Sequence, residues 1–171
     1  QLAAIEQNNL EYHFQKTDLN VILDEAIRSV NFLVEEKGGK ITRDYGDVPV
    51  FVYGDHVELV HVMMNLLVNA YKYSLHKIEI TVSVKKSENG TLVEVIDNGI
   101  GIPHHEKKRI FEKYYRIPTG NQHNIKGFGI GLYYVKEVLN AHHATIRVES
   151  EPGKGSRFSI LFPNKKGETW S

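Results

Sequence analysis

Residues 78–97 read IEITVSVKKSENGTLVEVID. In the first half, Ile78, Ile80, Val82 and Val84 alternate with polar residues as far as Lys85. Successive side chains of an extended chain point to opposite faces, so this is a strand with one apolar side. Ser87-Glu88-Asn89-Gly90 makes a turn, and Thr91–Asp97 returns with Val93 and Val95 facing inward. Strands joined by so short a turn pair antiparallel, because a parallel pair needs a long crossover.

The same pattern extends outward in both directions. Residues 1–13 carry Leu2, Ile5 and Leu10 in weakly helical spacing, like the end of a longer helix. Phe14–Asn20 reads as a short strand running into a helix cap at Asp18. From Leu19 to Glu36 the apolar residues Val21, Ile22, Ala26, Ile27, Val30, Leu33 and Val34 recur at helical spacing, and Gly38-Gly39 ends the helix. Lys40–Tyr45 and Val48–Tyr53 read as two strands around a turn, and Asp55 as the cap of a helix carrying Glu58–His76. After the hairpin comes a turn-rich segment, Asn98–Lys126, with a helical stretch around Glu106–Phe111. Gly127–His143 reads as a helix opened by glycines. Strands Thr145–Ser150 and Arg157–Phe162 flank the turn EPGKG, before the tail NKKGETWS. Helices alternating with strand pairs imply hairpins with the helices gathered on one face. The fold class is α+β, a two-layer α/β sandwich with a mixed, mostly antiparallel sheet.

Composition narrows the chemistry. The 171 residues suit one domain that buries about two-thirds of its unfolded surface. Lys plus Arg equals Asp plus Glu at 21 each, which leaves no electrostatic footprint for nucleic acid. The chain has no cysteine, which excludes disulfides, thiolate catalysis and cysteine-bound zinc. No apolar run approaches the roughly 20 residues that span a bilayer, and no signal peptide opens the chain. Gln1 in place of Met suggests a piece of a longer protein, whose membrane anchor could lie elsewhere.

Four features ask for chemistry. On the helix ELVHVMMNLLVNAYKYSLH, the polar residues Glu58, His61, Asn65, Asn69, Lys72 and His76 form one stripe at three- and four-residue spacing. The stripe either meets solvent, or its carboxamides and ammonium hold a metal-bound phosphate. Asp97-Asn98-Gly99-Ile100-Gly101 is a good turn sequence. Asp97 also continues the apolar face of its strand, where a carboxylate needs donors such as an exocyclic amine of adenine. Gly127, Gly129 and Gly131 alternate where a helix begins, which suits either close packing or an anion on the free N–H groups. No strand-helix-strand unit surrounds them, which argues against a dinucleotide fingerprint. Between the glycine elements, Phe111, Tyr114, Tyr115, Lys113 and Arg116 suit a lid over an anion, with a solvated loop as the alternative.

These motifs together resemble a known family. Asn65-Leu66-Leu67-Val68-Asn69-Ala70-Tyr71-Lys72-Tyr73-Ser74 is similar to the N box of bacterial sensor histidine kinases. Asp97-Asn98-Gly99-Ile100-Gly101-Ile102 is similar to their first glycine box, Phe111-Glu112-Lys113-Tyr114-Tyr115-Arg116 to the F box, and Gly127-Phe128-Gly129-Ile130-Gly131-Leu132 to the second glycine box. The four boxes stand in the family's order over roughly residues 16–163. The resemblance implies the Bergerat-type sandwich shared with gyrase, the stress chaperones and mismatch-repair ATPases.

It also implies roles, position by position. Asn69 ligates Mg²⁺ with Asn65 beside it, Lys72 reaches phosphate, and Tyr73 lines the adenine-ribose side. Asp97 takes the adenine amino group, and Gly99 and Gly101 shape the pocket floor. Lys126 and the stretch Gly127, Gly129, Ile130, Gly131 and Leu132 meet the triphosphate, and Arg116 is a lid residue that reaches phosphate. The superfamily's ATPases carry a water-activating Glu where this chain has Asn65, which favours phosphoryl transfer over hydrolysis. A self-contained ATPase or protein kinase of the superfamily is the alternative. None of the nine histidines has the setting of a phosphoacceptor. His104-His105 and His142-His143 read as exposed, as do Glu58 and His76. The implied partners are ATP, a histidine-bearing dimerisation domain of the same protein and, indirectly, a response regulator. The full-length protein would be a homodimer and this piece a monomer. The implied organisation is a dimerisation-helix end at 1–13, a catalytic domain at 14–163 and a tail at 164–171. The expected place is the cytoplasmic side of a membrane-anchored sensor.

Overall fold

The computed structural model describes residues 11–74, 77–117 and 129–164. Strand β1 (Gln15–Asp18) leads into helix α1 (Leu19–Glu36), whose cap is Asp18 as the sequence predicts. The Asp18 carboxylate accepts from the Asn20 N–H at 3.0 Å and from Val50 N–H at 3.1 Å. Gly38, at φ 68°, turns the chain out of the helix. Strands β2 (Lys40–Asp44) and β3 (Phe51–Gly54) precede helix α2 (His56–Lys72), capped by Asp55. The hairpin β4 (Glu79–Ser87) and β5 (Gly90–Asp97) is followed by two 3₁₀ turns, His104–Glu106 and Arg109–Phe111. Helix α3 (Gly131–Ala141) and strands β6 (Thr145–Glu151) and β7 (Gly155–Pro163) complete the described elements.

The main sheet has the order β2-β4-β5-β7-β6. Every pairing in it is antiparallel except β2–β4. The α+β sandwich and the mixed, mostly antiparallel sheet are therefore as expected. One pairing is not. β2 and β3 do not form a hairpin: β2 runs parallel to β4, and β3 pairs antiparallel with β1 in a separate ribbon. The apolar pattern of a strand sets its faces but not its neighbour. Here β3 and α2 together form the long crossover that a parallel β2–β4 pair requires.

The core lies between the layers. Ile22, Ala26 and Val30 of α1, Leu59, Met63 and Leu66 of α2, and Val135 and Val138 of α3 are buried against Ile80, Val82, Val93, Val95 and Ile160 of the sheet. Two helix bounds differ from expectation. α2 ends at Lys72, capped by Tyr73, with Leu75 and His76 outside the described residues. α3 begins at Gly131 and not at Gly127, because Gly129 has φ 68° and cannot be helical; Gly127 and Phe128 lie outside the described residues. No helix among the described residues is long and apolar enough to cross a membrane.

Candidate functional site

The hairpin delivers Asp97 to the end of β5, where it continues the face of Val93 and Val95 toward the helices. Its Oδ1 accepts from Gly99 N–H at 2.8 Å and from Ser156 N–H at 3.2 Å. Burial pushes this carboxyl above the ordinary carboxylate range, and the two N–H donors pull it back only in part. Oδ2 has no donor among the described residues. A half-buried carboxylate with one idle oxygen is an acceptor in waiting.

Asp97 lines a cavity of about 290 Å³. Asn69 on the last turn of α2 and Tyr73, the residue that caps it, form one side, and Tyr115, Arg116 and Ile117 another. Ile100, Gly101, Ile102, Ile110, Leu132 and Phe158 give it mostly apolar walls. The Asn69 carboxamide makes no hydrogen bond among the described residues.

The first glycine pair is fixed by the protein's own backbone. A Cβ on Gly99 would stand 2.6 Å from the Tyr73 carbonyl oxygen. One on Gly101, at φ 72°, would stand 2.0 Å from the Glu151 carbonyl oxygen. Ile100 N–H donates to that same Tyr73 oxygen at 2.9 Å, and Gly153 N–H donates to Ile100 O at 2.7 Å. The glycines therefore let this loop nest between the end of α2 and the β6–β7 turn, and Gly101 lines the cavity from there.

The second glycine element stands at the start of α3. A Cβ on Gly131 would meet Asn65 Oδ1 at 2.8 Å, so the glycine lets α3 begin against α2. Asn65 donates its Nδ2 to His61 O at 2.9 Å and lies beside the cavity without lining it. Ile130 supplies no side-chain cap, which leaves the first N–H groups of α3 open to an acceptor. Gly129 packs on the backbone of Tyr114 and Tyr115, and Lys72 is exposed at the last position of α2. Lys126 and Gly127 lie outside the described residues.

Several cavity residues carry no signal in the local sequence pattern. Pro152 lies in what reads as a plain turn and Ser156 directly follows it, yet Ser156 N–H holds Asp97. Tyr115 reads as a lid aromatic and is a wall, its hydroxyl donating to Glu106 Oε2 and raising the phenol above its ordinary range.

Two expectations of exposure fail. Glu58 is buried and accepts the Tyr134 hydroxyl, because α3 crosses α2 at that turn. His142 is buried too: Nδ1 donates to Val138 O at 2.7 Å and Nε2 accepts from Asp55 N–H at 2.9 Å. His104, His105 and His143 are exposed as expected.

Comparison with known proteins fits this geometry. Residues 54–166 match the model of a family described as histidine kinase-, DNA gyrase B-, and HSP90-like ATPase. The sensor protein RprX of Bacteroides fragilis is 34% identical over 98% of this chain and 33% of its own length. The chain thus spans about a third of that relative. Among solved structures, a mycobacterial sensor histidine kinase, MprB, aligns with a TM-score of 0.74 at 25% identity, covering 88% of this chain and 97% of that one. Full-length ShkA in complex with AMPPNP aligns at 0.78 and 22% identity, covering 90% of this chain and 32% of its own.

Proposed function

Because this chain belongs to the family of histidine kinase-, DNA gyrase B-, and HSP90-like ATPases, we propose that it binds Mg-ATP in the Asp97 cavity and donates the γ-phosphoryl group to a histidine. That histidine lies on a dimerisation domain of the same protein. The observation that carries the reading is Asp97 itself: an acceptor with a free oxygen among apolar walls. Adenine is flat and apolar on its faces and offers an exocyclic amine at its edge. Such a site rewards the amine strongly, because a buried acceptor left unpaired is costly. The AMPPNP held by the fold neighbour ShkA supports a nucleotide here.

The phosphates would leave the cavity toward Asn69, Lys72, Arg116 and the open N–H groups of α3. Among the described residues no group of three or more His, Asp or Glu could hold a metal. The unbonded Asn69 oxygen suits Mg²⁺, a hard cation that keeps several waters and takes its other ligands from phosphate. When bound, the ion would neutralise charge developing on the phosphoryl oxygens. Asn65 cannot take a proton from water, which supports transfer over hydrolysis. From the phosphohistidine the group would pass to a response regulator. A homodimer and the cytoplasmic side of a membrane-anchored sensor complete the reading.

Two measurements test it. In titrations of ATP with and without Mg²⁺, Asn69→Ala should abolish most of the Mg²⁺-dependent gain; an unchanged gain removes the magnesium role. The isolated chain should hydrolyse ATP at background rate, whereas sustained turnover would favour a self-contained ATPase of the same family.

A further inference from the structure

The wall Tyr115–Ile117 belongs to no helix or strand, so something else must hold it. The residue before it, Tyr114, has φ 61°, a left-handed backbone that an exposed tyrosine does not keep unless its surroundings enforce it. Three contacts surround this kink. The Tyr115 hydroxyl donates to Glu106 Oε2, the Arg109 guanidinium lies 4.1 Å over the Tyr115 ring, and Tyr115 N–H donates to Glu112 O at 3.2 Å. Glu106 is the buried member, at 6% exposure. Among the described residues its only other side-chain partner is His105, 3.4 Å from Oε1 and itself exposed.

Burying a carboxylate is costly unless it is paired and hydrogen-bonded, so the Tyr115 hydroxyl is a bond that Glu106 keeps. We infer that Glu106 is a positioning residue of the nucleotide site: its carboxylate pins the Tyr115 hydroxyl and so sets where Arg116 stands at the cavity. The inference rests on the nucleotide reading above. It follows from the covalent order, because Arg116 is the next residue and lines the same cavity. On the other side of the kink, the backbone of Tyr114 and Tyr115 closes on Gly129, where a Cβ would stand 2.8 Å from both Tyr114 C and Tyr115 O. The pin thus holds the backbone on which the approach to α3 rests.

The test is a set of ATP titrations with Mg²⁺. Tyr115→Phe and Glu106→Ala should each weaken ATP about tenfold, and Glu106→Gln, which keeps an acceptor, should cost less than about threefold. In an Arg116→Ala background, Tyr115→Phe should cost less than about twofold, since the group it positions is gone. Equal losses in both backgrounds would mean that the bond only supports the fold, and no loss in either would mean that it does nothing. Both outcomes overturn the inference and leave the nucleotide reading standing. Failure of the unaltered chain to bind ATP overturns both. Tyr115→Phe keeps the ring and its stacking, so it serves even if Glu106→Ala does not fold.

Discussion

The two ends of α2 treat polar groups in opposite ways. At its start, every buried polar side chain is paired. Asp55 caps the helix through Glu58 N–H at 3.0 Å and takes His13 N–H at 2.7 Å, Glu58 takes the Tyr134 hydroxyl, and both ring nitrogens of His142 are engaged. At its other end, Asn69 makes no side-chain bond among the described residues and Asp97 uses one oxygen of two. Both ends have buried residues and similar chemistry. What separates them is satisfaction: one end is closed by its own protein partners, and the other leaves acceptors pointing into a cavity. Spare hydrogen-bonding capacity, more than residue type, marks the site.

Asp97→Asn should give the largest effect and break the comparison most directly if it fails. It replaces the idle oxygen with a donor that would face the adenine amine in the proposed complex. ATP affinity should fall on the order of 100-fold, about 2.7 kcal/mol, while inorganic triphosphate binding stays within about twofold. The ligand-free domain should not lose stability, because burial already disfavours the charge at this position. Calorimetry on both ligands, with a melting curve, checks all three; equal losses for both ligands would make Asp97 structural. Tyr134→Phe is the counterpart at the closed end. It leaves the buried Glu58 without its hydroxyl donor and should cost about 1–3 kcal/mol of stability in denaturant titration. ATP affinity should stay within about twofold. A variant that folds normally but binds ATP poorly would erase the distinction between the two ends.

This difference explains what could be read from the chain. The hairpin of β4 and β5, the span of α1 and both aspartate caps follow from periodicity and turn chemistry, which are local. Asn69, Tyr73, Asp97, Gly101, Arg116 and Leu132, all expected from the four boxes, do meet at one cavity. The misses depend on contacts between elements distant in sequence. Glu58 and Tyr134 are 76 residues apart, and nothing in the stripe on α2 announces that α3 will cover its first turn. His142 and Asp55 are 87 apart, and a His-His pair at a helix end carries no sign that one ring will be enclosed. The partner of β3 is equally invisible, since its alternation fits any neighbour. Local pattern reveals elements and motifs; it does not reveal which polar residues will find partners.

The smallest effect expected, and the finest test, is titration of the two ends. His142 is held below the ordinary histidine range, first by desolvation, and its Nε2 must stay unprotonated to accept Asp55 N–H. The unfolded chain takes up this proton near pH 6.5, before the folded chain does, so the stability from His142 is complete above that pH. It is lost as pH falls from there through the depressed folded value, by at most about 1.4 kcal/mol per pH unit. Other groups face His142 and resist this depression: Asp55 and Glu58 favour its protonated form, whereas His143 disfavours it. Asp97 has the opposite sign. Its folded value is raised, so its contribution is present below the unfolded carboxylate value and disappears as pH rises through the folded one. Side-chain NMR of the two residues should therefore show Asp97 titrating above an ordinary carboxylate and His142 below an ordinary histidine. ATP bound through its exocyclic amine favours the ionised carboxylate and should draw the Asp97 midpoint down while leaving that of His142 in place. If ATP moved His142 and spared Asp97, the site would lie at the end of α2 where every partner is already taken.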